Sequence, residues 1–233
     1  NSGTLTKSAG TGITWFNSYG GLFNNTGTVN VNSGTMALDN GGTDTGAKGR
    51  KVVEKMATLD IARRIKEQLQ AANINVKLTR DKDVALSLEE RSTIGRKMGA
   101  TVFVSIHLNS AENAGAAGIE SYVLPAPGFV STAGENGRIS SEPGNRFDAV
   151  NILLAYEVHR AVLAQTGAPD RGVKHARFDV LVQAPCPALL IECGFLSNTY
   201  EENMISMQDY RQVLARGIAQ GIVTYVHNAR TPR

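Results

Sequence analysis

The sequence predicts an α/β domain with a mostly parallel central sheet and helices on both faces, preceded by a short β-rich segment. Three observations predict it. First, the apolar runs Thr101-Val-Phe-Val-Ser-Ile106 and Ala188-Leu-Leu-Ile191 are continuous and bounded by turn signals, so they read as strands covered on both faces. Second, from about residue 47 strand-like stretches alternate with stretches of helical period, the pattern of a parallel sheet with crossover helices. Third, the first 46 residues have another composition, with only Lys7, Asp39 and Asp44 charged in a Gly/Asn/Ser/Thr-rich chain.

In chain order, the leader repeats an Asn-x-Gly turn running into a short alternating stretch, at Asn1-Ser-Gly-Thr-Leu5, Asn25-Thr-Gly-Thr-Val29 and Asn32-Ser-Gly-Thr-Met36. The pattern resembles β-solenoid rungs and, in composition, bacterial autotransporter passenger repeats. Two or three rungs bury no core of their own. Residues 1–36 are therefore expected to form a leader, with Trp15 and Phe16 available to dock it, and residues 37–230 the catalytic domain. Within the domain, Met56, Leu59, Ala62, Ile65 and Leu69 recur at three and four, an amphipathic helix. Asn73 stops it, and Ile74-Asn-Val-Lys-Leu78 alternates as a strand. Ser87-Leu-Glu-Glu90 is a capping box opening a helix that ends at Gly99. Strands are expected at 101–106, 119–124, 178–182 and 188–192, and helices at about 147–165 and 208–226. Residues 125–146, rich in Pro, Gly and Ser, read as a loop rimming a site.

Composition narrows the function. Hydrophobic residues at 42% in a 233-residue chain suffice for one sizeable core. The net charge of +3, with no Lys/Arg block, gives no reason to expect nucleic acid. No apolar stretch reaches about 18 residues, so no membrane span is expected. The chain begins with Asn rather than Met and reads as a processed or excised piece. Cys186 and Cys193 lie roughly 20 Å apart if residues 187–192 are extended, beyond the about 7 Å that a disulfide allows. Both are expected to be small buried hydrophobes.

Three side chains stand out. His107 and Glu192 close the two buried strands, and Glu54 stands at the head of the first helix. In open α/β sheets catalytic groups gather beyond the carboxyl ends of the strands. One His and two Glu beside a cleft are parts of a hydrolytic zinc site. A carboxylate ending Ala-Leu-Leu-Ile needs a partner or a proton, whereas Glu54 could stand where it does for the helix dipole alone. Period-2 alternation sends Cys193 to the face opposite Glu192.

Six stretches in order, Gly41-Gly-Thr-Asp-Thr-Gly-Ala-Lys-Gly49, Glu54-Lys55, Leu78-Thr-Arg80, Ser105-Ile-His-Leu-Asn109, Arg171-Gly-Val-Lys174 and Leu190-Ile-Glu-Cys-Gly-Phe-Leu-Ser-Asn198, resemble the zinc-dependent N-acetylmuramoyl-L-alanine amidases of the Amidase_3 kind. The resemblance runs from about residue 38 to 227. It implies one Zn2+ ion, peptidoglycan as substrate, a monomer, and a place in the bacterial cell envelope or outside the cell. By residue it implies Glu54 and His107 as metal ligands and Glu192 as the catalytic glutamate. Arg80, Asn109, Arg171 and Asn198 become candidates for substrate binding, although Arg80, Arg171 and Asn198 could equally hold loops. The family's first ligand, a His before Gly-Gly, is missing. Aligned from Gly41, Asn40 occupies its position as a weak donor; aligned from Met36-Ala-Leu-Asp39, the loop is two residues short and the His is deleted. Asp39 or His175 could substitute, while His159 and His227 read as surface or packing residues. The first strand itself reads as replaced by foreign β-rich sequence. The alternative function is therefore a catalytically impaired peptidoglycan-binding or β-scaffold protein; a carboxypeptidase using the same metal logic fits the motifs less well.

Overall fold

The computed structural model describes residues 35–39, 47–132 and 141–230, together with two short strands, β1 (Leu5–Thr6) and β2 (Phe23–Asn24), which pair in parallel with each other. The leader's Asn-x-Gly turns, Trp15, Phe16 and Asn40 lie outside the described residues.

A six-stranded sheet organises the domain. Its strands are β3 (Thr35–Asp39), β4 (Val76–Leu78), β5 (Ala100–Asn109), β6 (Ile119–Val123), β7 (Asp170–His175) and β8 (Ala188–Phe195), in the spatial order β4-β3-β5-β8-β6-β7. Every pairing is parallel except β6 against β8. The helices are α1 (Glu54–Ala71), α2 (Leu88–Lys97), α3 (Asp148–Thr166), α4 (Asp179–Val182), α5 (Thr199–Ser206) and α6 (Gln208–Arg230), with a 3-10 turn at Pro143–Phe147 before α3. This is the expected class. β3 begins at Thr35 and is continuous with the sheet, Met36 to Leu38 lying beside both Val76–Leu78 and Val102–Val104.

Strand alternation divides the core. Met36, Leu38, Val102, Val104, Ile106, Leu189, Ile191 and Cys193 face one side, where α1, α3 and α6 cover them in the larger cluster. Ala37, Phe103, Ala188 and Leu190 face the other, against α4, Leu124 and Cys186. The thinner cover on this second face leaves its carboxyl end open. On the first face α3 and α6 approach so closely that a Cβ built on Gly221 would lie 2.4 Å from Val158 Cα, which leaves room only for glycine there.

Local signals act as expected in α2. The Ser87 hydroxyl accepts from Glu90 N at 3.2 Å, and Glu90 Oε2 accepts from Ser87 N at 2.6 Å. Gly99 follows the helix with φ of 62°. Elsewhere the expectations need correction. Residues 178–182 form the helical turn α4 rather than a strand, because a three-residue apolar run is as easily a buried turn as a strand. The sixth strand is the polar, half-exposed edge Asp170–His175, whose residues carry no alternating apolar signal. Met56 is 52% exposed, since the buried side of α1 runs through Ala57, Ile61, Ala62, Ile65 and Leu69.

Asp60 ties α1 to α6: Oδ2 accepts from Arg64 Nε at 2.9 Å and from Arg211 Nε at 2.5 Å. Partial burial pushes its pKa up, but the bonds to Arg211 and Arg64 outweigh this and hold it below the usual carboxylate value. A depressed folded-state pKa contributes stability above the ordinary Asp pKa, and that contribution is lost as pH falls through the folded value. Asp60→Asn is expected to lower stability near neutral pH and to flatten the acid limb of a urea-denaturation series taken from pH 7 to pH 3.

Candidate active site

Three adjacent strands bring the site together. β5 and β8 pair so that His107 lies beside Glu192, and β8 and β6 pair so that Glu192 lies beside Glu120. Alternation from Phe103 and Leu190 places His107 and Glu192 on the thinly covered face, at the carboxyl ends of their strands. The register carries Glu120 onto the same face.

Glu54 reaches this row from the first turn of α1. Its Oε1 lies 2.9 Å from His107 Nδ1 and accepts from Leu108 N at 3.2 Å, while Oε2 accepts from Ala47 N at 2.7 Å. Burial opposes charge on both partners. The contact with His107 and two backbone donors nevertheless hold Glu54 below its usual pKa, and Glu54 and Glu192 raise that of His107. The side chain of His107 keeps 23% of its surface exposed, so the pair opens onto the cleft.

Glu192 is the unresolved charge of the site. Its Oε2 is out of solvent and has no hydrogen-bond partner among the described residues. Burial pushes its pKa up to about 7, with Glu54 and Glu120 adding to the rise and His107 opposing it. A native protein rarely leaves such an atom unsatisfied without a functional reason. A carboxylate titrating near neutrality is suited to accepting and returning a proton.

Asp39, by contrast, is fully engaged. Thr79 donates to Oδ1 at 2.9 Å, and Ser105 and Arg91 donate to Oδ2 at 2.6 and 3.3 Å. Asp39 and Arg91 are 1% and 3% exposed, so the group anchors the end of β3 rather than offering a free donor. Arg91→Ala strands a buried carboxylate and is expected to cost about 3–5 kcal/mol; the shift in urea midpoint measures it.

The remaining candidates divide. Asn109 sits at the site, its amide donating to Glu120 Oε2 at 3.2 Å, and Arg171 Nε donates to Glu120 Oε1 at 2.5 Å. Arg80 is buried and donates to Lys55 O and Lys82 O, tying the start of α1 to the loop after β4. Asn198 caps α5, accepting from Tyr200 N and Glu201 N and donating to Ala114 O. The structure thus brings Glu54, His107, Glu192, Asn109 and Arg171 together, and gives Arg80 and Asn198 holding contacts. Among the described residues no group of three His, Cys, Asp or Glu is placed to hold one metal ion, so neither Asp39 nor His175 completes a triad with Glu54 and His107. His159 is a buried packing residue, not a surface one: Nδ1 lies 3.0 Å from Ser121 Oγ and Nε2 2.9 Å from Asp170 Oδ1. Ser121 has no exposed surface, so this array offers no nucleophile. His227 is exposed on α6. Cys186 and Cys193 are free and buried on opposite faces, and burial raises both thiol pKa values, that of Cys186 to about 12.

Glu120, Tyr122 and Lys174 belong to the site and were not anticipated from the sequence. The signal was available: Glu120 is a carboxylate in the middle of Ile119-Glu-Ser-Tyr-Val123, the same anomaly that marks Glu192.

Comparison with known proteins places the chain in a family. The Amidase_3 family, described as N-acetylmuramoyl-L-alanine amidase, matches residues 37–224. Amidase CwlM of Bacillus licheniformis is 32% identical over 184 residues, covering 78% of this chain and 64% of that protein. The sporulation-specific N-acetylmuramoyl-L-alanine amidase of Bacillus subtilis is 33% identical, and this chain spans 63% of its length. Among solved structures, the catalytic domain of the amidase CwlV from Bacillus (Paenibacillus) polymyxa superposes with a TM-score of 0.71 at 30% identity, over 83% of this chain and 98% of that one. AmiC2 of Nostoc punctiforme gives 0.71 at 28% identity, over 84% and 98%. The match over residues 37–224, on a sheet that superposes on these amidase structures, establishes that this chain belongs to the Amidase_3 family of N-acetylmuramoyl-L-alanine amidases.

Proposed function

We propose that the chain hydrolyses the amide between N-acetylmuramic acid and L-alanine of peptidoglycan, with Zn2+ as cofactor, in the bacterial cell envelope or outside the cell. The observation that carries the reading is the unpartnered Glu192 Oε2 beside the Glu54–His107 pair. An imidazole nitrogen and a carboxylate oxygen converging within 2.9 Å are a donor set suited to zinc. They would supply two of the three protein ligands such a site uses. By the family resemblance the third would come from the stretch around Asn40, where the sequence offers at most a weak oxygen donor. A bound zinc ion supplies activation of water and polarisation of the amide carbonyl. Glu54 is held for that task by the N–H groups of Ala47 and Leu108. Glu192 then takes the proton of the attacking water and returns it to the nitrogen of the departing L-alanine. Its pKa of about 7 suits both transfers.

A second reading is kept on one observation, the lack of a third donor among the described residues: a catalytically impaired protein that docks peptidoglycan in the same cleft. One experiment separates them. Purified protein is assayed for zinc per chain and for new L-alanine amino termini released from insoluble cell wall. Near-stoichiometric zinc with release supports the hydrolase. Folded protein that sediments with wall, holds no zinc and releases nothing supports the impaired binder.

A further inference from the structure

Beside the proposed proton acceptor lies a second constellation that the hydrolytic chemistry leaves unused. The carboxylate of Glu120 is 2% exposed and takes four donors: Arg171 and Lys174 on Oε1, Tyr122 and Asn109 on Oε2. Burial alone would raise its pKa, but Lys174, Tyr122 and Arg171 outweigh that and keep it ionised. Two cations thus meet at one carboxylate, and Arg171 also lies in the field of the Glu201 carboxylate, which accepts from Gly118 N and Phe195 N.

Both cations are also held from the side. The Arg171 guanidinium lies 4.9 Å over the Phe195 ring, and Lys174 Nζ lies 5.9 Å over that of Tyr122. A Cβ on Gly118 would meet Arg171 Cγ and Cδ at 3.0 Å, so the glycine leaves the path that the Arg171 stem takes across β6. Only Nε of Arg171 is spent on Glu120; its two terminal nitrogens have no acceptor among the described residues, and the side chain is 35% exposed. Lys174 likewise spends one bond and is 29% exposed. This arrangement keeps unspent donors on both cations, each partly exposed, beside the strand that carries Glu192.

We propose that Arg171 and Lys174, clamped by Glu120, form a subsite for a carboxylate on the peptide side of the substrate. The inference rests on the hydrolase reading and deepens it. In the amide to be cleaved the lactyl carboxyl is already consumed, so free carboxylates near the scissile bond belong to the peptide. Planar guanidinium nitrogens suit a carboxylate's two oxygens, and the neighbouring ammonium adds a point charge.

The test is equilibrium binding to Glu192→Gln protein, which does not consume the probe. The probes are N-acetylmuramoyl-L-alanyl-D-glutamate and its dicarboxamide counterpart, compared by calorimetry in low salt. The acid is expected to bind about tenfold tighter or better, as hydrogen bonds to charged groups imply. That ratio is expected to fall towards one in Arg171→Gln and in Lys174→Gln, each checked for an unchanged melting transition; if one fails to fold, the other decides. Equal affinities in the parent, binding of neither probe, or an undiminished ratio in the folded variants overturns the proposal. Zinc content and wall cleavage are read separately, so failure of the hydrolase reading and failure of the subsite give different results.

Discussion

Glu192→Gln is expected to abolish release of L-alanine amino termini from cell wall, by about 10²–10⁴-fold, while zinc content and fold are retained. The substitution keeps the shape of the side chain and removes only its capacity to accept a proton. The Glu54–His107 contact does not involve Glu192 and is left in place. Stability is not expected to fall, because Glu192 Oε2 makes no hydrogen bond among the described residues that the substitution would break; an amide there ends the cost of holding a buried, unpaired carboxylate. The combination is diagnostic. A structural carboxylate would give a destabilised protein with proportionate loss of activity, whereas a proton acceptor gives a folded, inactive one. Denaturation curves and wall-cleavage assays on the same preparation distinguish the two.

The parts of the molecule that were legible in the sequence are those where one physical constraint dominates. Residues 101–106 and 188–191 could only be strands buried on both faces, and His107 and Glu192 at their ends are polar groups with no local reason to be there. Ser87 and Glu90 form their capping box within a single turn, so four residues suffice to foresee it. What was not legible depends on contacts distant in sequence. Val180-Leu-Val182 lies in a helical turn, buried with Leu124, Ala188 and Leu190, and those partners are distant in sequence, so no local pattern reports them. β7 is a strand because β6 offers an edge, not because Asp170-Arg-Gly-Val-Lys-His175 favours one. Glu120 joins the site through the antiparallel pairing of β6 with β8, a topological choice that leaves Glu120 and Glu192 72 positions apart in sequence but adjacent in the sheet. His159 is buried through Ser121 and Asp170, partners 38 and 11 residues away.

Asn40→His is expected to raise zinc affinity by more than about 100-fold, since changes to groups that only orient a ligand already shift affinity by about 10–100-fold and this one adds a ligand outright. The argument runs through β3. Asp39 is fixed at the strand end by Thr79, Ser105 and Arg91, and it pairs in register with Ser105, two residues before His107. Asp39 is therefore held at a position set by the same strand that carries His107, and the next residue in sequence is Asn40. On the alignment from Gly41, in which Asn40 takes the position of the family's first ligand, an imidazole there supplies a nitrogen in place of an amide oxygen, which zinc prefers. Competition against a chromogenic chelator measures the gain. The two alignments of this stretch part here. If Asn40 occupies the ligand position, the single substitution suffices and wall cleavage rises with zinc occupancy. If the loop is two residues short, Asn40→His leaves affinity unchanged, and only a variant that also lengthens the loop after Asp39 recovers the metal.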